Sequence, residues 1–340
     1  MRTFAVARAV RGIEPLVAME IRRSLTGVVH GVRHREVWFE ARPGADLLGL
    51  RTADDVLLAA AVVDGIGPGR AALRRLARAA REVDPALMGD PGSGVEVSAS
   101  FVGRRNYTRF EIEDAVGAEL ARPARVPYHS RRDGRRPPPG ARSWRVTIDG
   151  DQAVIAVRVA ARPLHRRAYK TASIPGTLHP PVAAAMAHLA RLTGAATVLD
   201  PCCGAGTTLI EASATLPDAT RGRLLGFDRD PAAIAAARAN TRAAGAALAW
   251  AVADGGRIPV EDGCADRVLV NPPWGRQVPP AGLLARGLAP LWREVRRVLA
   301  PDGLAVALVH DGVPRGFAVE EVVEVSLSGQ HPLIVVLKPR

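Results

Sequence analysis

The chain has 340 residues, 48% apolar and 24% charged, with a net charge of +12. That length allows two or three domains with an ample core, and the composition argues against wholesale disorder. Three cysteines without a CxxC pair exclude a disulfide framework or a cysteine zinc cluster, and no apolar run approaches the ~18 residues of a membrane helix.

The charge is unevenly placed. Residues 1–170 carry 30 basic and 19 acidic side chains, whereas residues 171–340 carry 16 and 15. All basic residues except Lys170 and Lys338 are arginines. A basic half suited to a polyanion therefore precedes a near-neutral half. The N-terminus MRTFAVARAVRG lacks a signal-peptide core, so a cytoplasmic, reduced protein is expected.

In chain order, Thr3 to Ala9 reads as a strand, and Ile13 to Leu25 has apolar residues at helical spacing. Val28 to Val32 and Glu36 to Glu40 read as a hairpin, Ala45 to Arg51 as a short helix, and Val56 to Val63 as a strand. This β-α-β-β-α-β order predicts a ferredoxin-like unit over 1–63. Residues 64–161 predict a second α+β unit. It has an arginine-studded helix after residue 69, a strand Val95 to Phe101, and an amphipathic helix Thr108 to Ala121. A proline-rich basic loop at 129–142 follows, then a hairpin turning at Asp149-Gly150-Asp151. Residues 162–180 read as a linker. From 181 to 340, helix Pro181 to Thr193 is followed by alternating strands and helices, which predicts a parallel sheet wound on both faces.

Thr197 to Ala212 reads TVLDPCCGAGTTLIEA: a strand ending in Asp200, a turn at Gly204 and Gly206, then a helix opening at Thr207. Such a turn places a polar ligand at the carboxyl edge of a parallel sheet. A P-loop needs a lysine that is absent, and a dinucleotide fingerprint needs a glycine where Leu209 stands. S-adenosylmethionine remains. Asp228, ending the next strand, is placed for the ribose hydroxyls, and Asp254, after the third, for the adenine edge; a helix or turn cap is the competing reading of each. Asp230 before Pro231 reads as a cap, and Thr208-x-x-Glu211 as a capping box.

Asn271-Pro272-Pro273-Trp274 follows the fourth strand. By itself the tripeptide is a common turn. At the open edge of the same sheet, it offers an acceptor set for an exocyclic amine: the Asn271 amide oxygen and the Pro272 carbonyl, which Pro273 holds rigid. Trp274 gives a flat face for a flipped base. No metal is required, and the eight histidines show no ligand spacing.

Together, DPCCGAGTTLIEA (200–212), GFDRDPAAIAAARAN (226–240) and VNPPWG (270–275) resemble THUMP-domain RNA methyltransferases that make N2-methylguanosine. Upstream, RPLHRRAYKTASIPGTLHPPVAAAMAHLA (162–190) and RNYTRFEIEDAVGAEL (105–120) resemble that family's connecting segment and a THUMP helix. The resemblance implies an α/β Rossmann-type methyltransferase domain over 181–340, preceded by a ferredoxin-like domain (1–63), a THUMP-like domain (64–161) and a linker (162–180). It implies Asp200, Gly204, Gly206, Thr207, Asp228 and Asp254 at the S-adenosylmethionine site and Asn271 to Trp274 as the catalytic loop. Trp274 departs from the family's more frequent Tyr or Phe, and residues 311–316 are too few for the usual crossover helix.

Three basic clusters suggest phosphate contacts: Arg104, Arg105 and Arg109; Arg131, Arg132, Arg135 and Arg136; and Arg166, Arg167 and Lys170 beside Arg162. Solvated surface arginines are the alternative for any one of them. The expectation is a monomeric, metal-free RNA guanine-N2 methyltransferase acting on tRNA. Ribosomal RNA, a protein-glutamine substrate and non-catalytic RNA binding are the alternatives.

Overall fold

The computed structural model describes residues 3–90, 92–216, 222–275, 278–310 and 312–340. The first part is built from β1 (Thr3–Arg8), α1 (Glu14–Ser24), β2 (Val28–Arg33), β3 (Glu36–Ala41) and β4 (Asp55–Val63). The β2–β3 hairpin forms as expected, with Arg33 opposite Glu36. The expected helix at 45–51 does not form. Asp46 takes the N–H groups of Leu48 and Gly49 at 3.1 and 3.2 Å, which closes one 3-10 turn at Leu47–Gly49.

Next come α2 (Ala71–Arg81), β5 (Val95–Phe101), α3 (Arg109–Ala124), β6 (Arg142–Asp149) and β7 (Gln152–Arg158). Thr108 and Glu111 cap α3 reciprocally, fixing where that helix starts. The two expected units share one sheet, in the order β2-β3-β1-β4-β7-β6-β5. β7 pairs antiparallel with β4, from Leu57↔Arg158 to Val63↔Ala153. A separate ferredoxin-like unit would leave the nine-residue β4 as a long open edge, and β7 covers it. Trp144, Ile112, Leu120 and Ile155 fill the core under α2 and α3.

The second sheet follows α4 (Pro180–Leu189). Its elements are β8 (Thr197–Asp200), α5 (Thr207–Thr215), β9 (Arg223–Asp228), α6 (Pro231–Ala244), β10 (Ala249–Val252), β11 (Ala265–Val270), α7 (Ala289–Val298), β12 (Leu299–Val309), β13 (Phe317–Glu324) and β14 (Leu333–Pro339). The strand order is β10-β9-β8-β11-β12-β14-β13. The first five run parallel, and β14 lies antiparallel between β12 and β13. Because β14 is antiparallel to both, β12 and β13 run parallel, and none of the described residues between them is helical. α7 begins only at Ala289, after Gly282 and Gly287 adopt positive φ and just before Pro290 in its first turn.

β8 has β9 on one side and β11 on the other, so the winding reverses there and leaves a crevice at the strands' carboxyl ends. The core of the first half-sheet, including Phe39 and Ile21, runs without a break into the core holding Met186, Leu209 and Val306. Among the described residues, no helix is long and apolar enough to cross a membrane.

Candidate active site

A cavity of 1340 Å³ lies over this crevice. Its walls come from the glycine turn, from Asp228, from Asn271 to Trp274, and from the 162–180 segment. That segment is a wall of the site as well as a linker: His165, Lys170 and Ile174 to His179 all face the cavity.

The glycine turn is held from below. Asp200 ends β8 with 1% of its surface exposed, and its carboxylate accepts the Cys202 N–H at 3.0 Å. Burial pushes its carboxyl up to about 7, with the Asp228 charge adding to the shift. Asp228 accepts the Gly204 N–H at 2.9 Å and the Asp230 N–H at 3.0 Å. Asp230 in turn caps α6 through the Ala232 N–H at 2.8 Å.

The two glycines differ in what they do. Gly204, at φ +52°, faces the cavity. Gly206, at φ +82°, does not; a Cβ there would sit 2.9 Å from Trp250 and 3.1 Å from Ala237. Gly226 carries the same ring, since its Cβ would lie 2.2 Å from Trp250. Gly206 therefore serves the packing of α5 and α6 on β10, where ligand approach was expected.

The Thr207 hydroxyl is buried on the cavity wall and has no hydrogen-bond partner among the described residues. An orphaned hydroxyl beside Gly204 and Asp228, at a helix N-terminus, fits a polar ligand such as S-adenosylmethionine. Asp254 departs from its expected role. Its oxygens accept the Gly256 N–H at 2.9 Å and the Leu283 N–H at 3.0 Å, so it braces the chain ahead of α7, and its neighbour Gly255 is what faces the cavity. The Asp-Gly-Gly sequence favours such a turn.

β11, the neighbour of β8, ends at Asn271 to Trp274 on the same cavity. The Trp274 indole N–H donates to Asn271 Oδ1 at 3.0 Å, and Asn271 Nδ2 points at the Gly176 carbonyl at 3.5 Å. Trp274 also packs on His310, with ring centroids 3.4 Å apart and planes 36° apart. His310 was not anticipated. It follows β12, the strand beside β11, and that edge position was the signal available.

Glu211 is not a cap. α5 starts after Gly206 with no side-chain cap, and Glu211 is fully buried beneath it. Arg51 Nε reaches it at 2.7 Å, Arg167 Nε at 2.9 Å and the Tyr169 hydroxyl at 2.8 Å. The first sheet, the connecting segment and α5 thus meet on one carboxylate. Arg167, expected to contact RNA, is committed to this clamp and to the Leu164 and Arg51 carbonyls. Arg105 is half-buried and also engaged: it donates to the carbonyls of Ile66, Gly67 and Gly150. A second junction joins His179 to Asp54 at 2.6 Å, with His165 beside them. Linear spacing could not show that group.

Arg104, Arg109, Arg131, Arg132, Arg135, Arg136 and Arg166 are exposed. Arg132 pairs with Asp114 at 2.7 Å and Arg135 with Asp133 at 3.3 Å. Arg109, Arg131, Arg132, Arg135 and Arg136 line a second cavity of 630 Å³ on the first sheet. At its floor lies Arg145, which was not singled out in the sequence; burial pulls its guanidinium down to about 10. Lys170 is half-buried on the wall of the first cavity, and its ammonium is pulled below the usual lysine range by that burial.

Residues 167–313 match the RMKL-like methyltransferase domain family. The chain is 31% identical over 307 residues to the tRNA (guanine(6)-N2)-methyltransferase of Thermus thermophilus, an alignment covering 87% of this chain and 86% of that one. It belongs to the RNA guanine-N2 methyltransferase family. The U6 snRNA (guanine-N(2))-methyltransferase THUMPD2 of Mus musculus is 30% identical over 165 residues, which is 47% of this chain and 29% of that protein. The crystal structure of TrmN from Thermus thermophilus superposes with a TM-score of 0.82 at 28% identity, covering 100% of both chains. The crystal structure of SMU.472 complexed with SAH shares the fold at a TM-score of 0.77 and 16% identity, covering 100% of this chain and 98% of that one. This methyltransferase is an enzyme that uses S-adenosylmethionine to methylate RNA on guanine N2.

Proposed function

We propose that the RNA is a tRNA and that the reaction runs in the cavity at the winding reversal of the second sheet. The observation that carries this reading is that one cavity is lined both by Gly204, Thr207 and Asp228 and by Asn271, Pro272 and Trp274, from the carboxyl ends of the neighbouring strands β8, β9 and β11. S-adenosylmethionine, held by the first set, supplies an electrophilic methyl group on a sulfonium. The protein's residues do the rest.

Asn271 Oδ1 and the Pro272 carbonyl accept the two N–H bonds of the guanine amine. The amine lone pair, conjugated with the ring, is thereby turned toward the donor side of the cavity. Trp274 stacks on the flipped base. The nitrogen gains the methyl carbon and releases one proton to water. The donor's S–CH3 bond would break as the N–C bond forms, and its sulfur would leave as a neutral thioether, so neither a strong base nor a Lewis acid is required, and activity should survive chelation. Arg104, Arg109, Arg131, Arg132, Arg135, Arg136, Arg166 and Lys170 hold backbone phosphates. The enzyme acts as a cytoplasmic monomer.

The test is methylation of undermodified tRNA by purified protein, read by nucleoside mass spectrometry. N2-methylguanosine is the expected product, and Asn271→Ala should lower the rate at least tenfold. Unchanged turnover in that variant would remove the assigned acceptor, and product formed only on ribosomal RNA would remove the tRNA assignment.

A further inference from the structure

Asn271 has an ambiguity that an aspartate in its place would not. Its side chain ends in one acceptor and one double donor of nearly the same shape. Only the oxygen can receive an amine N–H. With the amide turned over, Nδ2 would meet the substrate amine donor to donor, and the methyl acceptor would be repelled from its site. An enzyme that relies on this asparagine needs something to hold its orientation.

The structure holds it from both ends. On one side the Trp274 indole, a donor with no acceptor capacity, points at Oδ1 from 3.0 Å. On the other, the Gly176 carbonyl, an acceptor only, lies 3.5 Å from Nδ2. Turning the amide over would set N–H against N–H and oxygen against oxygen, so both neighbours select the same orientation. The 3.5 Å separation is long for a hydrogen bond, which leaves Trp274 as the principal restraint. Oδ1 has two acceptor positions; the indole takes one, and no other described residue donates to the second, which the substrate amine can take. The His310 ring packs against the indole, tilted by 36°. A phenylalanine or tyrosine at 274 would keep an aromatic face while losing the indole N–H.

We propose that Trp274 is a positioning residue for Asn271: its indole N–H locks the amide so that Oδ1 is the atom presented to the amine. The proposal rests on the reading of Asn271 as the amine acceptor. It gives Trp274 a role separate from stacking.

A double-mutant cycle tests it, using the full chain and tRNA. Trp274→Phe keeps a stacking face and removes one neutral hydrogen bond. It should lower kcat by about 2- to 10-fold, while KM for tRNA stays within about 2-fold. Asn271→Asp has no wrong orientation, because both oxygens accept. In the N271D background, adding W274F should therefore change kcat by less than about 2-fold. A tryptophan needed only for stacking or packing would cost the same in both backgrounds, and that result overturns the proposal. The second readout needs no substrate. In 15N spectra, the indole N–H signal that disappears in W274F should shift and exchange faster with solvent in Asn271→Ala. An unmoved signal overturns the hydrogen bond. If the wild-type enzyme makes no N2-methylguanosine, the acceptor reading fails, and the 15N comparison still decides whether Trp274 holds Asn271.

Discussion

Replacing Glu211 by alanine removes the carboxylate on which Arg51, Arg167 and Tyr169 converge. Glu211 has no exposed surface, and the Arg167 side chain keeps only 9%. Each charge-assisted hydrogen bond contributes about 1.5–3 kcal/mol, and a buried ion pair broken from one side costs about 3–5 kcal/mol. Arg51 keeps 27% of its side-chain surface and recovers part of its share from water, so the lower end of that range applies, about 3 kcal/mol. A helix cap would cost about 1 kcal/mol. Calorimetry separates the two. At roughly 2–4 °C per kcal/mol, E211A should lower Tm on the order of 10 °C. Arg51→Ala in the E211A background should cost much less than in the wild type. A loss in E211A no greater than that of Thr208→Ala would refute the clamp and restore the cap.

Asp200 supplies a pH prediction. Its folded carboxyl stands near 7, and an unfolded one near 3.9. The folded state then holds its proton to higher pH, so stability is full below about pH 4, falls as pH rises, and levels off above about pH 7. At about 1.4 kcal/mol per pH unit the loss is bounded near 4 kcal/mol, and Asp200→Asn should gain Tm relative to wild type between pH 5 and 8; parallel curves would show that Asp200 is ionised throughout. Replacing Arg131, Arg135 and Arg136 together by alanine should weaken tRNA binding and flatten its log–log salt slope by about 1 for each phosphate left without its arginine, so an unchanged slope would take this loop out of the interface. Gly206→Ala drives a Cβ into Trp250 at positive φ and should cost about 1–3 kcal/mol of stability, measured by denaturant unfolding; a neutral result would mean the Trp250 ring can move aside.

Much of the second sheet was legible because its signals are local. The β8 turn glycines, the Asp230-Pro231 start of α6 and the Asn-Pro-Pro stop after β11 each act within a few residues of where they appear. Strand–helix alternation then leaves few topologies. The same locality misled at Thr208-x-x-Glu211, where a capping pattern is present but the carboxylate answers to Arg51, 160 positions away. It misled again at Asp254, whose second partner is the Leu283 N–H, and at Arg105 and Arg167, which look like exposed cations in sequence and are engaged by partners within the fold.

The sequence by itself determined the chemistry on offer: a glycine turn without a P-loop lysine, an amide followed by two prolines and an aromatic ring, and a basic first half. Residue identity and short spacing suffice for these. Only the tertiary structure decided how the offers are used. It joined β4 to β7 and so merged two expected units into one sheet. It folded the 162–180 segment over the cavity, buried Glu211 between two guanidinium groups, and set the Trp274 indole against Asn271. Burial and hydrogen-bond pairing are properties of neighbours in space, and those neighbours come from segments far apart along the chain.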